Sequence, residues 1–253
     1  MTRYVATKVL ARQVIAKASS LATAALIFAI TPAMAGDRAS LDIIGYSQDG
    51  YYFAFEEFGI QDGSGFPYSN IYVVNLVNDS WLPGTPVRVQ ADSEFEDLQS
   101  IRAEAAEKVQ PTIASLHVNV PADVIALIGD GTPDNTAKSL RFGVPSYNAG
   151  EVIGDYELKI STFPAKAASP CAEWFSVDPL GVKLTITENG KTRTLQEDAD
   201  LPRSRGCPTA YRLHSVVLPF EAQDITQGVA LISVYPGGFE GPDRRFIAVP
   251  IGQ

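Results

Sequence analysis

Two short stretches hold the side chains most able to do chemistry. In the first, Glu56 and Glu57 stand just ahead of Gln61-Asp62-Gly63-Ser64-Gly65. Carboxylates paired across a cleft do general acid–base work, and oxygen-rich loops hold hard cations. Adjacent residues of a strand point to opposite faces, which argues against Glu56 and Glu57 acting on one substrate bond. Asp62 with one of them has the oxygens for a cation, although the spacing does not match an EF-hand loop. The plainer reading is a polar strand end followed by a Gly-rich turn.

The second stretch carries Glu240, Asp243, Arg244 and Arg245 in or beside the turn-rich segment Pro236 to Asp243. An arginine can clamp a ligand carboxylate through two parallel hydrogen bonds. The same charges can instead pair internally and pin this loop to the first one. Both segments, 59–70 and 236–243, are longer than a hairpin connection needs. They are expected to meet and form a functional edge, with Arg244 or Arg245 bonded to Glu56, Glu57 or Asp62. His117 and His214 each have a serine nearby, but neither lies in a nucleophile-elbow pattern and both read as structural. Gly59, Gly63 and Gly65 lack the lysine of a phosphate-cradling loop. No cofactor or metal pattern emerges, so neither is expected.

These residues must be positioned by strands. Residues 41–47 and 51–58 flank Gln48-Asp49-Gly50, a turn whose glycine accepts positive φ, and so predict a hairpin. Strands follow at 71–77 and 87–89. The run Val182 to Glu188, Asn189-Gly190, Lys191 to Gln196 predicts a second hairpin with Thr185, Thr187 and Thr192 on one face. Further strands are expected at 123–128, 140–144, 156–160, 211–218, 229–235 and 245–249, and a turn over 129–135. One helix stands out: Ser93 and Glu96 fit a capping box, and Leu98, Ile101, Ala105 and Val109 recur at helical spacing until Pro111. The fold class is therefore mainly β, antiparallel sheets arranged as a sandwich or a partial propeller, with one α-helix packed on a sheet.

The ends of the chain and its charge bound the setting. Residues 1–35 carry Arg3, Lys8, Arg12 and Lys17, then the apolar run Leu21 to Ile30, then Ala33-Met34-Ala35. That order predicts a secretory signal peptide cut before Gly36. The apolar run is half the length of a membrane span, so no span is expected after cleavage. Four of the 20 basic residues and none of the 29 acidic ones lie in this leader, leaving 16 against 29, a net charge of −13. Such acidity disfavours nucleic acid and anionic membranes as partners. The remainder, 36–253, is expected to be one β-rich exported domain, or two units divided near residue 118. Cys171 and Cys207 predict one disulfide in an oxidising compartment; a metal or catalytic thiol is the rival reading, and no CxxC spacing supports it.

Two family resemblances accompany these readings. Ser47-x-Asp49-Gly50-x-Tyr52-x-Ala54-Phe55, followed by Ile71-Tyr72-Val73, resembles one blade of the WD40-like β-propeller repeat of periplasmic TolB-type proteins. Phe53 to Glu57, Gln61-Asp62-Gly63-Ser64-Gly65-Phe66-Pro67-Tyr68-Ser69 and Gly238 to Phe246 resemble a bacterial family known only as predicted secreted proteins. That second likeness implies secretion and supplies no catalytic residues. The expectation is thus a periplasmic or secreted, non-catalytic protein binding a protein, glycan or small ligand. The alternative is a carboxylate-dependent hydrolase drawing on Glu56, Glu57, Asp62 and Glu240.

Overall fold

The computed structural model describes residues 36–129, 136–238 and 241–252. The expected leader, nearly all of the turn over 129–135, and Glu240 lie outside them. Turn chemistry assembles the chain hairpin by hairpin. Strands β1 (Ser40–Ser47) and β2 (Tyr52–Ile60) are joined where Gly50 adopts φ 71° and donates its amide to the Ser47 carbonyl at 2.9 Å. The Asp49 carboxylate takes the Tyr51 amide at 3.0 Å, and Ser47 Oγ takes that of Tyr52 at 3.0 Å. Side chains here close the turn that glycine permits.

Next come β3 (Pro67–Asn75), β4 (Ser80–Trp81) and β5 (Val87–Gln90), then helix α1 (Leu98–Ser115) and β6 (Val118–Val120). These strands form one antiparallel sheet in the order β4-β3-β2-β1-β6, with β5 on the same outer edge of β3 as β4. After β7 (Ala122–Leu127) the chain builds a four-stranded sheet from β8 (Ser139–Pro145), β9 (Val152–Pro164), β10 (Leu180–Glu188) and β11 (Lys191–Glu197). The short helix α2 (Cys171–Phe175) interrupts it. Asn189 and Gly190, at φ 50° and 74°, make the β10–β11 turn, and the hydroxyls of Thr187 and Thr192 face each other at 2.8 Å. A one-turn 3-10 helix, Arg203–Arg205, precedes β12 (Pro208–Pro219), β13 (Val229–Pro236) and β14 (Arg245–Pro250), which join β7 in the order β14-β13-β12-β7. The molecule is mainly β and antiparallel, and the described strands form no closed barrel.

The apolar pattern stacks these pieces in layers. Val217, Val229, Leu231 and Phe246 of the β7–β14 sheet pack on Tyr46, Phe53, Phe55 and Tyr72 of the first sheet. On its opposite face, Leu213, Val216, Leu218, Ala230 and Ile232 pack on Val144, Leu158, Val182, Leu184 and Ile186 of the β8–β11 sheet. The β7–β14 sheet is therefore central, which is why the Val216–Leu218 end of β12 and Val229–Ile232 of β13 are continuously apolar rather than alternating. Ile101, Ala105 and Val109 of α1 cover the outer face of the first sheet against Ile71, Val73 and Val89. The order of layers is helix, sheet, sheet, sheet.

Three local expectations are corrected. The segment 59–70 is not a long loop: β2 runs to Ile60 and β3 starts at Pro67, in register from Ile60↔Pro67 to Tyr52↔Asn75. Tertiary pairing with β2 and β5 overrides the turn-forming look of Pro67 to Asn70. The helix cap is Asp97, whose carboxylate accepts the Ser100 amide at 2.9 Å, while Ser93 and Glu96 bond within the turn before it. The helix also continues through Pro111 to Ser115, since burial of Val109 and partial burial of Ile113 and Leu116 hold its last turn to the sheet. Cys171 and Cys207 are joined, as expected, with Cα atoms 5.4 Å apart.

Candidate functional site

The strand geometry separates the two glutamates. Glu56 faces α1, where Arg102 donates Nε at 3.0 Å and Nη2 at 2.7 Å, and Ser69 Oγ donates at 2.8 Å. Arg102 also reaches Asp42 at 2.7 Å and stacks over Phe58, its guanidinium carbon 3.8 Å from the ring centre. Glu57 faces the central sheet and is wholly buried. Its Oε2 accepts the Tyr72 hydroxyl at 2.9 Å, and its Oε1 accepts the Phe246 amide. Burial pushes the Glu57 carboxyl up to about 7, against the lowering pull of the Phe246 amide, the Tyr72 hydroxyl and the Arg245 charge. Burial likewise raises the Tyr72 hydroxyl well above its ordinary range. A carboxyl sealed in this way has no route to a substrate.

The arginines beside the second turn reach the start of the described structure. Arg245 bonds Asp37 at 2.6 Å and lies 3.6 Å from Asp243; Arg244 donates to the Ala39 carbonyl at 3.0 and 2.7 Å. Both arginines thus tie to the segment 36–39. Asp37 accepts the Tyr68 hydroxyl at 2.9 Å and donates its amide to Asp243 at 2.9 Å. Burial raises the Asp243 carboxyl, with Arg245 opposing. Gly36 to Arg38 also line a shallow depression with Ile60 to Gly65. Gln61 accepts from Ser64 at 3.0 Å and Gln90 at 2.7 Å, and Asp62 Oδ2 is buried without a hydrogen bond. His117 is exposed, and His214 Nδ1 lies 3.1 Å from Ser215 Oγ. No group of metal-ligating residues occurs among the described residues.

A larger opening lies elsewhere. Where the apolar layer between the first and central sheets ends, beyond β3, a cleft of about 500 Å³ opens. One wall is Asn70, Tyr72, Trp81 and Arg88 of the first sheet. The other is β13–β14, with Arg245 and Ile247, and the segment Pro202 to Gly206. Trp81 meets Tyr72 edge-on, ring centres 5.3 Å apart, and Tyr72 is in turn held by Glu57. Arg205, at the rear, spans Asp198 at 3.3 Å and the Tyr211 hydroxyl at 3.4 Å. The neighbouring Cys207 is fixed by the disulfide.

Residues 54–252 match the family model described as "Predicted secreted protein (DUF2259)". The chain belongs to that family. Among curated proteins, none matches it significantly. In this DUF2259 protein no described helix is long and apolar enough to cross a membrane.

The carboxylates and arginines of the two turns stand out in the DUF2259 sequence, but not what they touch. Asp37, Tyr68 and Arg102 carried no signal of their own, since their partners are remote in the chain. Arg88, Trp81 and Arg203 of the cleft were equally silent. The one available hint was an unusual basic pair, Arg203 and Arg205, in an acidic chain.

Proposed function

We propose that this protein is an exported, non-catalytic binding protein that holds a small ligand in the cleft between its first and central sheets. The carrying observation is the cleft: its volume falls in the range of small-molecule sites, and its walls are built mainly from strands with the one-turn helix Arg203–Arg205. The hydrolase alternative is weakened by the same geometry. Paired-carboxylate hydrolysis needs two carboxyls flanking one bond, whereas Glu56 is bound to Arg102 and Glu57 is buried on the other face of the strand. Asp243 is committed to Asp37 and Arg245.

Native mass spectrometry of the protein purified from the exported fraction tests this reading. A small molecule released on denaturation, and lost when Trp81 and Tyr72 are replaced by alanine, is the expected result. Turnover of a glycoside or ester that disappears in Glu56→Gln or Asp62→Asn would favour the hydrolase instead. Export itself is read out on the same sample: the N-terminal residue should be Gly36, and recovery of an intact leader would remove the proposed cleavage site.

A further inference from the structure

We infer that the ligand of this cleft is a small organic anion, held through its carboxylate or phosphate by Arg88 and Arg203 and backed by the ring of Trp81. The inference rests on the cleft being the ligand site and adds the chemistry of what enters it.

Several arginines are satisfied within the fold. Arg102 has Glu56 and Asp42, Arg141 has Asp155, Arg205 has Asp198, and Arg245 has Asp37. Arg88 and Arg203 are different. Neither guanidinium has a hydrogen-bond or ion-pair partner among the described residues, and both line the same cleft from opposite walls. Acidic side chains outnumber basic ones in this protein, so partners for them were not scarce. Yet of the four arginines among the described lining residues, Arg205 and Arg245 are paired with Asp198 and Asp37, while Arg88 and Arg203 share the cleft with a single carboxylate, Asp79, which forms no ion pair with either. A cleft of this sign in an otherwise acidic molecule focuses its field on an incoming anion.

The groups on either side narrow the class. A guanidinium presents a planar fork that matches carboxylate and phosphate oxygens, and a pair of them suits a ligand with more than one anionic oxygen. Asn70, Ser80 and Ser204 supply neutral hydrogen-bonding groups beside the fork. The indole of Trp81 is 41% exposed although it lines a concave surface, and its contact with Tyr72 fixes its plane. An exposed, immobilised ring of this kind offers a stacking surface at low entropic cost. The ligand therefore carries a flat or ring-shaped body next to its charge.

Isothermal calorimetry on the exported, disulfide-intact protein at low ionic strength decides the matter. The probes are adenosine monophosphate and phthalate, which combine ring and anion from a phosphate and a carboxylate source, with citrate as ringless anion and adenosine as neutral ring. Saturable binding of adenosine monophosphate or phthalate is expected. Arg88→Ala or Arg203→Ala should weaken it by about tenfold or more, as expected for a lost charge-assisted bond. Trp81→Ala should weaken the ring-bearing anions and leave citrate unchanged. Because neither arginine has an internal partner, both variants should keep the parental melting temperature, which separates lost binding from lost folding. Anion binding that survives in the double arginine variant overturns the inference. So does binding of adenosine alone, abolished by Trp81→Ala, which would leave the cleft as a ligand site but for a neutral ligand. Failure of all four probes overturns the ligand class, and an empty native mass spectrum as well would remove the cleft reading beneath it.

Discussion

Glu57 shows how one buried proton can set the pH response of the whole protein. Its native carboxyl, at about 7, lies above the ordinary value of 4.5, so between those values the folded protein holds a proton that the unfolded chain releases. The associated stabilisation is fully present below 4.5 and is lost as pH rises through 7. Across that window the wild type should lose about 3 kcal/mol at most. Glu57→Gln mimics the protonated acid: its carbonyl accepts the Phe246 amide and its amide donates to the Tyr72 hydroxyl, which can accept as well as donate. The variant should show a flatter profile and be the more stable protein above pH 7. Asp243, raised by its own burial, contributes a slope of the same sign that this substitution leaves in place. Urea midpoints measured across the window would decide it, and parallel profiles for the two proteins would count against the assignment. The reason Glu57 was not legible as a buried acid is that its alternation with Glu56 fixes which faces the two occupy, not which face is deeper. Only the central sheet, arriving from residues 208–250, makes the Glu57 side the sealed one.

At the scale of elements, the strands announced by a turn of Asp-Gly or Asn-Gly were legible, because φ > 0 at those residues is demanded by the strand twist itself. The β2–β3 connection was not. Gly59 to Asn70 is rich in turn formers, and nothing local says that Pro67 to Asn70 will find both β2 and β5 as neighbours. The cleft was hidden for the same reason: Arg88 sits on an edge strand and Arg203 on a one-turn helix, more than a hundred residues apart in sequence. Next to that helix, which Arg205 ties to Asp198, lies the disulfide. Closing a loop with a sequence separation of 36 should stabilise the fold by about 4 kcal/mol in the chain-entropy account. Cys171→Ala with Cys207→Ala should lower the urea midpoint accordingly while far-ultraviolet dichroism keeps its strand signature. A collapse of that signature would mean that the bond directs the fold rather than securing it.

For the whole molecule, the central sheet decides cooperativity. It is faced on both sides, and Val216 and Val217, neighbours on β12, belong to the two different apolar layers. A unit ending near residue 118 would leave one face of that sheet bare. A single calorimetric transition is therefore expected for residues 36–253, with the van't Hoff and calorimetric enthalpies equal. Two resolved transitions would instead favour the division near 118. The layers themselves were partly legible, since the short apolar runs Val216–Leu218 and Val229–Ile232 already mark stretches of strand buried on both faces.

The tie between Asp37 and Arg245 also has a history. The carboxylate is synthesised 208 residues ahead of the guanidinium it meets. For nearly the whole time that the chain is being made, Asp37 has no arginine to receive it, and the Tyr68 hydroxyl alone is within early reach. Closure of so long a span is slow compared with hairpin formation. The segment 36–39 should thus be the last piece to lock, after both sheets it borders have formed. Pulse-labelling of amide hydrogens during refolding would reveal this as late protection of the Ala39 amide, which donates to the Arg244 carbonyl. The bond that pins the start of the described structure would then be, in order of time, its finishing step.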